Sequence, residues 1–148
     1  KNIIPKPYDR IYIGKGPREQ VEYVRGRIPY DKLTAAAKVE LPYILEQIAT
    51  KDEARFIEFF NKSQPITTRL HQLELLPGIG KKLMWSIIEE RKKKNFESFA
   101  EISTRIHLLP DPTKMIVKRI IQELEGQEKY YVFTLPPKPA AVRPPRES

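Results

Sequence analysis

The chain has no cysteine. Disulfides, thiolate metal ligands and thiol nucleophiles are therefore excluded. The absence fits a reducing compartment, and a cytoplasmic location is expected. There are two histidines, His71 and His107. Neither has a partner at metal-ligand spacing, so no metal and no other cofactor is expected. Both read as surface or capping residues. No apolar run approaches the roughly 18 residues of a membrane span, and no signal-peptide pattern opens the chain. A membrane partner is thus not expected. Residue 1 is Lys rather than Met, and further sequence upstream of Lys1 is anticipated. Glycine is scarce, with six in 148 residues. Two of the six fall within three positions, Gly78 and Gly80, in the stretch LPGIGKK.

What the chain has in quantity is positive charge. Lys and Arg number 27 against 19 acids, for a net charge of +8 and a pI near 9.6. That balance favours polyanionic partners. The charge is uneven: residues 1–29 carry seven cations against three acids, and residues 66–107 carry eight against five.

Residues 9–14 and 20–28 alternate apolar and polar side chains and are rich in Ile, Val and Tyr, so they read as two strands of a hairpin. Residues 129–135 (KYYVFTL) read as a late strand. Together these predict a small N-terminal β segment, part of an OB-like barrel, over 1–29, with a possible strand at 127–135. Residues 30–65 read as connecting helices, with a break at Pro42 and a capping box from Thr50 to Glu53. Over 66–126, helices are expected at 68–76, 80–94, 98–107 and 114–125. Ser98 to Glu101 has capping-box spacing, and Gly126 closes the last helix. Residues 136–148 hold five prolines and read as an extended, disordered basic tail. The predicted class is mainly α, α+β overall.

Residues 75–90 (LLPGIGKKLMWSIIEE) recur at an offset of 33 as residues 108–123 (LLPDPTKMIVKRIIQE), with seven of sixteen positions identical. The identities are the turn frame and the apolar stripe, as expected of two copies of a helix–turn–helix unit packed on each other.

The glycine turn has a chemistry of its own. A helix start leaves N–H groups unpaired and carries partial positive charge, which suits a phosphate. Gly78 and Gly80 would permit close approach, Ile79 would pin the turn to the core, and Lys81 and Lys82 would add charge. The stretch resembles the helix-hairpin-helix motif, on Leu73, Leu76-Pro77-Gly78-Ile79-Gly80, Ile87-Ile88, Arg91, Phe96 and Phe99. That resemblance implies sequence-independent nucleic-acid binding, with the hairpin amides on phosphate. The second copy departs from it: Asp111-Pro112-Thr113 replaces Gly-Ile-Gly, so that copy is expected to be structural. The whole chain also resembles an archaeal family of unknown function that joins a small β-barrel segment to this motif. RIYIGKG, AAAKVELPYILEQI, ITTRLHQLELLPGIGKK and EERKKKNFESF carry that likeness, which implies nucleic-acid binding.

Further candidate contacts are Arg91, Lys92, Lys93 and Lys94, read as a second phosphate contact beside the turn or as a solvated helix end. Lys15, Arg18, Arg25 and Arg27 decorate the predicted hairpin near Tyr12 and Tyr23. Trp85 lies off the Leu83/Met84/Ile87/Ile88 stripe and is expected to pack on neighbouring helices, with base stacking as the alternative. No catalytic residues are assigned. The run ERKKK has Phe96 where a related nuclease pattern has an acid, and Asp111 sits in the degenerate turn rather than at a glycosylase position. The expectation is a non-enzymatic binder of structured, ribosomal-type RNA in preference to DNA, with ribosomal proteins as further partners and no small-molecule substrate. A DNA-binding accessory factor and a protein–protein adaptor are the alternatives.

Overall fold

A computed structural model describes residues 6, 13–14, 16–18, 21–22 and 25–136. Five α-helices account for most of it: α1 (Ala35–Lys51), α2 (Glu53–Lys62), α3 (Lys81–Lys93), α4 (Phe99–Arg105) and α5 (Pro112–Glu125). Short 3-10 turns lie at Tyr30–Lys32 and Gln72–Leu75. α1 packs chiefly on α5, α2 on α3, and α4 on α5. Ala49, Phe56, Phe60, Leu73, Ile87, Ile102 and Ile116 meet in a shared core.

The expected β segment is not found: among the described residues there is no strand, and the class is helical. Arg25 to Pro29 run without strand pairing. Most of 9–14 and 20–24, together with the tail from 137, lies outside the described residues. For 129–135 the physical reason is visible. The amides of Val132, Phe133 and Thr134 all donate to one oxygen of Glu123, at 3.1, 3.0 and 2.9 Å. A side chain of α5 thus takes the hydrogen bonds that a neighbouring strand would have taken. The apolar content of this segment goes into packing, with the Phe133 ring 5.4 Å from Phe56 and 5.0 Å from Phe59.

Three helical expectations also change. α1 runs unbroken through Pro42. A mid-helix proline costs about 3 kcal/mol, and burial of Leu45 and Ala49 with part of Leu41 opposes that cost. The predicted Thr50–Glu53 capping box does not form. Thr50 Oγ1 donates to Glu46 O at 2.8 Å, and Glu53 accepts from the Phe99 amide at 2.7 Å. The helix predicted at 68–76 is only the 3-10 turn Gln72–Leu75. Thr67 Oγ1 accepts from the amides of Arg69 and Leu70, holding the preceding residues in a tight turn.

The repeat does have a structural basis. Its identical positions Leu76 and Leu109 are both buried, as are Ile87 and Ile120. The two turns face each other: a Cβ on Gly78 would lie 3.3 Å from Pro110 Cγ. Ser98 caps α4 by accepting from Glu101 N at 3.0 Å, and Gly126 ends α5 at φ +84°.

Candidate nucleic-acid interface

The glycine turn begins at Leu76, whose carbonyl accepts from Ile79 N at 3.2 Å. Gly78 takes φ +96°, a left-handed conformation that favours glycine. Ile79 is buried, as its place between the glycines implies, while Gly78 and Gly80 are exposed. Gly80 is the N-cap of α3 and offers no side-chain cap. Among the described residues, the amides of Lys81, Lys82 and Leu83 have no acceptor. A side chain on Gly80 would meet nothing within 4 Å.

The equivalent corner of the repeat is built differently. Asp111 is the N-cap of α5, and its Oδ1 accepts from Thr113 N at 2.9 Å and Lys114 N at 3.4 Å. One helix start therefore carries its own anion. The other presents donors and a partial positive charge to solvent.

The structure sorts the basic residues. Lys82 is exposed beside the open amides. Lys81 is turned away: its ammonium binds Glu74 Oε1 at 2.7 Å and the Arg69 carbonyl. It latches the preceding loop to α3 rather than reaching outward. Burial works to raise the Glu74 carboxyl, but the bonds from Lys81 and the His71 amide hold it below its usual range. Arg91 is also committed, donating to Phe60 O at 3.1 Å, Ser63 Oγ at 3.0 Å and Ser63 O at 2.9 Å. It closes the end of α2, and burial lowers its pKa. Lys93 pairs with Glu90 at 3.1 Å, Lys94 reaches Glu97 at 4.0 Å, and Lys92 is exposed. The cluster 91–94 does not lie beside the turn. Ten residues of helix separate Arg91 from Lys81, about 15 Å.

Arg27 donates to the Leu135 carbonyl at 2.8 Å, joining the chain before α1 to the segment after α5. Arg18 is half-buried and Arg25 exposed. Lys15, Tyr12 and Tyr23 lie outside the described residues.

Sequence reasoning missed a groove of about 640 Å³ along α3, between that helix and the 65–71 loop. Its lining includes Trp85, Met84, Ile88, His71, Arg69 and Arg91. Trp85 is 56% exposed and does not pack away against neighbouring helices, contrary to expectation. His71 caps the 3-10 turn, its Nδ1 accepting from Leu73 N at 3.1 Å. Burial, then the charges of Arg91 and Lys81, lower its pKa, with Glu74 opposing. A signal was available: Lys81, Met84, Trp85, Ile88 and Arg91 share one face at helical spacing. Among the described residues, no group of three or more His, Asp or Glu could hold a metal ion. Among them, too, no helix is long and apolar enough to cross a membrane.

Residues 1–135 match the family described as protein of unknown function (DUF655). The chain belongs to the DUF655 family. A curated relative of this DUF655 chain, the "uncharacterized protein MJ0038" of Methanocaldococcus jannaschii, is 49% identical over 139 residues. The match covers 88% of this chain and 63% of the relative, so the chain spans under two-thirds of that protein's length. The crystal structure of a DUF655 protein from Archaeoglobus fulgidus, Af1531, superimposes with a TM-score of 0.83 at 53% identity. That likeness covers 91% of this chain and 75% of the other. Both relatives are archaeal.

Proposed function

We propose that this protein binds nucleic acid through its sugar-phosphate backbone, with a phosphate seated on the open start of α3. The observation that carries this reading is the contrast within the repeat. Asp111 fills one helix start with a carboxylate, whereas Gly80 leaves the other bare, exposed and sterically open. A phosphate oxygen at that place would accept from the Lys81, Lys82 and Leu83 amides, with the Lys82 ammonium alongside. The net charge of +8 and the resemblance of LPGIG to the helix-hairpin-helix motif support the same reading. Backbone contacts of this kind position a protein without reading sequence. The proposed role is binding rather than catalysis. Structured RNA within a ribonucleoprotein is the preferred partner, on the strength of the small basic body and the basic, proline-rich C-terminal sequence.

The test is affinity for duplex DNA and for structured ribosomal RNA at matched salt, with the native chain and with Gly80→Asp. Log affinity is expected to fall linearly with log salt, by about 0.7–0.9 per phosphate contacted. Gly80→Asp is expected to weaken both complexes at least tenfold by placing a carboxylate in the seat. Salt-insensitive binding, or full affinity in Gly80→Asp, overturns the reading. Equal or tighter binding to DNA removes the RNA preference and favours a DNA-binding accessory factor.

A further inference from the structure

We propose that the groove along α3 receives one unpaired nucleobase, stacked on Trp85, from the same strand whose phosphate sits at the start of the helix. This deepens the phosphate reading and rests on it, and it narrows the partner to single-stranded or looped RNA.

Two observations independent of the helix start carry the inference. The first is Trp85. It is the chain's one tryptophan, and more than half of it is exposed at the mouth of a groove floored by Met84 and Ile88. An indole face so placed is a stacking platform, which any base can use. The second is His71. The residue is only 5% exposed, and its Nδ1 is already filled by the Leu73 N–H. With Nδ1 accepting, the neutral ring carries its proton on Nε2. That N–H has no acceptor among the described residues, yet no enclosed side-chain nitrogen or oxygen there lacks a partner. Nε2–H therefore opens onto the groove that His71 lines. The groove thus offers an aromatic face, an apolar floor and, in His71 Nε2–H, a donor fixed by the ring's own cap on Leu73 N. A carbonyl or ring nitrogen on a base edge is the complementary acceptor.

Placement supports the same occupant. Trp85 lies one helical turn beyond Lys81, about 6 Å along the axis. A nucleotide with its phosphate at the bare helix start can thus turn its base toward the indole. A base inside a duplex is held in the stack and cannot do so, which sets the preference for unpaired strands.

The experiment follows Trp85 fluorescence as the native chain is titrated with a non-self-complementary RNA of about ten nucleotides and, separately, with a fully paired RNA duplex. The expected result is fluorescence quenching by the single strand alone. Trp85→Ala should weaken single-strand binding about tenfold and change duplex binding less than twofold, while Trp85→Phe retains most of the affinity. Because the side chain is largely exposed, the variant is expected to fold, and circular dichroism checks this. Unchanged single-strand affinity in Trp85→Ala, or quenching by both RNAs alike, overturns the proposal. Gly80→Asp separates the two readings. If it weakens both RNAs while Trp85→Ala weakens neither, the groove proposal fails and the phosphate seat stands. If Trp85→Ala alone matters, the seat fails and stacking stands by itself. Binding to neither RNA overturns both.

Discussion

Arg119 and Glu123 form an ion pair inside the protein, Nε to Oε2 at 3.0 Å, with side chains 4% and 0% exposed. Both partners are otherwise engaged. Arg119 also donates to the carbonyls of Leu75 at 3.3 Å and Tyr130 at 2.5 Å, and Glu123 holds the amides of residues 132–134. The pair joins three things: the first repeat copy through Leu75, α5 itself, and the segment after it. Removing Glu123 leaves the buried Arg119 charge with only the more distant Glu128 carboxylate, at 3.5 Å, to oppose it. Glu123→Ala is expected to cost about 3–5 kcal/mol in urea unfolding. It should also make the peptide bonds around 130–135 the first cut in limited proteolysis.

The two glycines of the turn should respond oppositely to substitution. Gly78→Ala places a Cβ at φ +96°, 3.3 Å from Pro110, and should destabilise by about 1–2 kcal/mol. Gly80 is extended, at φ −97°, with open space around it. Gly80→Asp gives α3 the cap that α5 already has and should stabilise by about 0.5 kcal/mol. Thermal melts of the two variants, run beside the native chain, check both signs.

Arg91 and Lys92 are neighbours in a basic run, but only Arg91 is built into the structure. Arg91→Ala removes three hydrogen bonds from a charged donor at the end of α2 and should cost about 1.5–3 kcal/mol. Arg91→Lys should recover only part of this, because an ammonium lacks the guanidinium fork. Lys92→Ala should change stability by less than about 0.5 kcal/mol. Chemical denaturation of the three variants decides between a structural and a solvated role for each position.

Burial and the nearby charges of Arg91 and Lys81 keep the His71 pKa below the ordinary histidine value, against the pull of Glu74. The folded state therefore binds the His71 proton less readily than the unfolded chain. Stability is retained above about pH 6.5 and lost as pH falls from there toward the folded-state pKa. A second loss is expected below about pH 4.3 as Glu74, Glu90 and Glu101, whose folded pKa values are lowered, become protonated. Melting temperature measured from about pH 2 to about pH 8 should show both stages. His71→Asn, which keeps an acceptor for the Leu73 amide, should flatten the upper one.

The helices that were legible are those whose ends carry their own chemistry. Ser98, Gly126 and the spacing of Ile87 and Ile88 placed α3, α4 and α5 to within a few residues, and the repeat marked the positions at which the two copies would pack. The errors came where distant partners decide local structure. Nothing local to KYYVFTL reveals that Glu123 takes its amides, so its β-propensity misleads. Pro42 reads as a break because the sequence does not show the tertiary burial that favours a continuous α1. At the candidate site the open turn was legible from its glycines. The side chains of Lys81 and Arg91 have internal acceptors that charge alone does not reveal. The Arg119–Glu123 pair left a trace that went unread: two opposite charges four residues apart on an otherwise apolar stripe.

The narrow space between Gly78 and Pro110, where an added Cβ would lie only 3.3 Å from the ring, has a consequence for how this corner would meet a guest. Each turn of the repeat braces the other, so the bare amides of α3 are fixed in direction before anything arrives. A loop of similar composition lacking that brace would have to surrender conformational freedom on association, and its affinity would fall accordingly. Here the ordering is complete at the moment the chain folds.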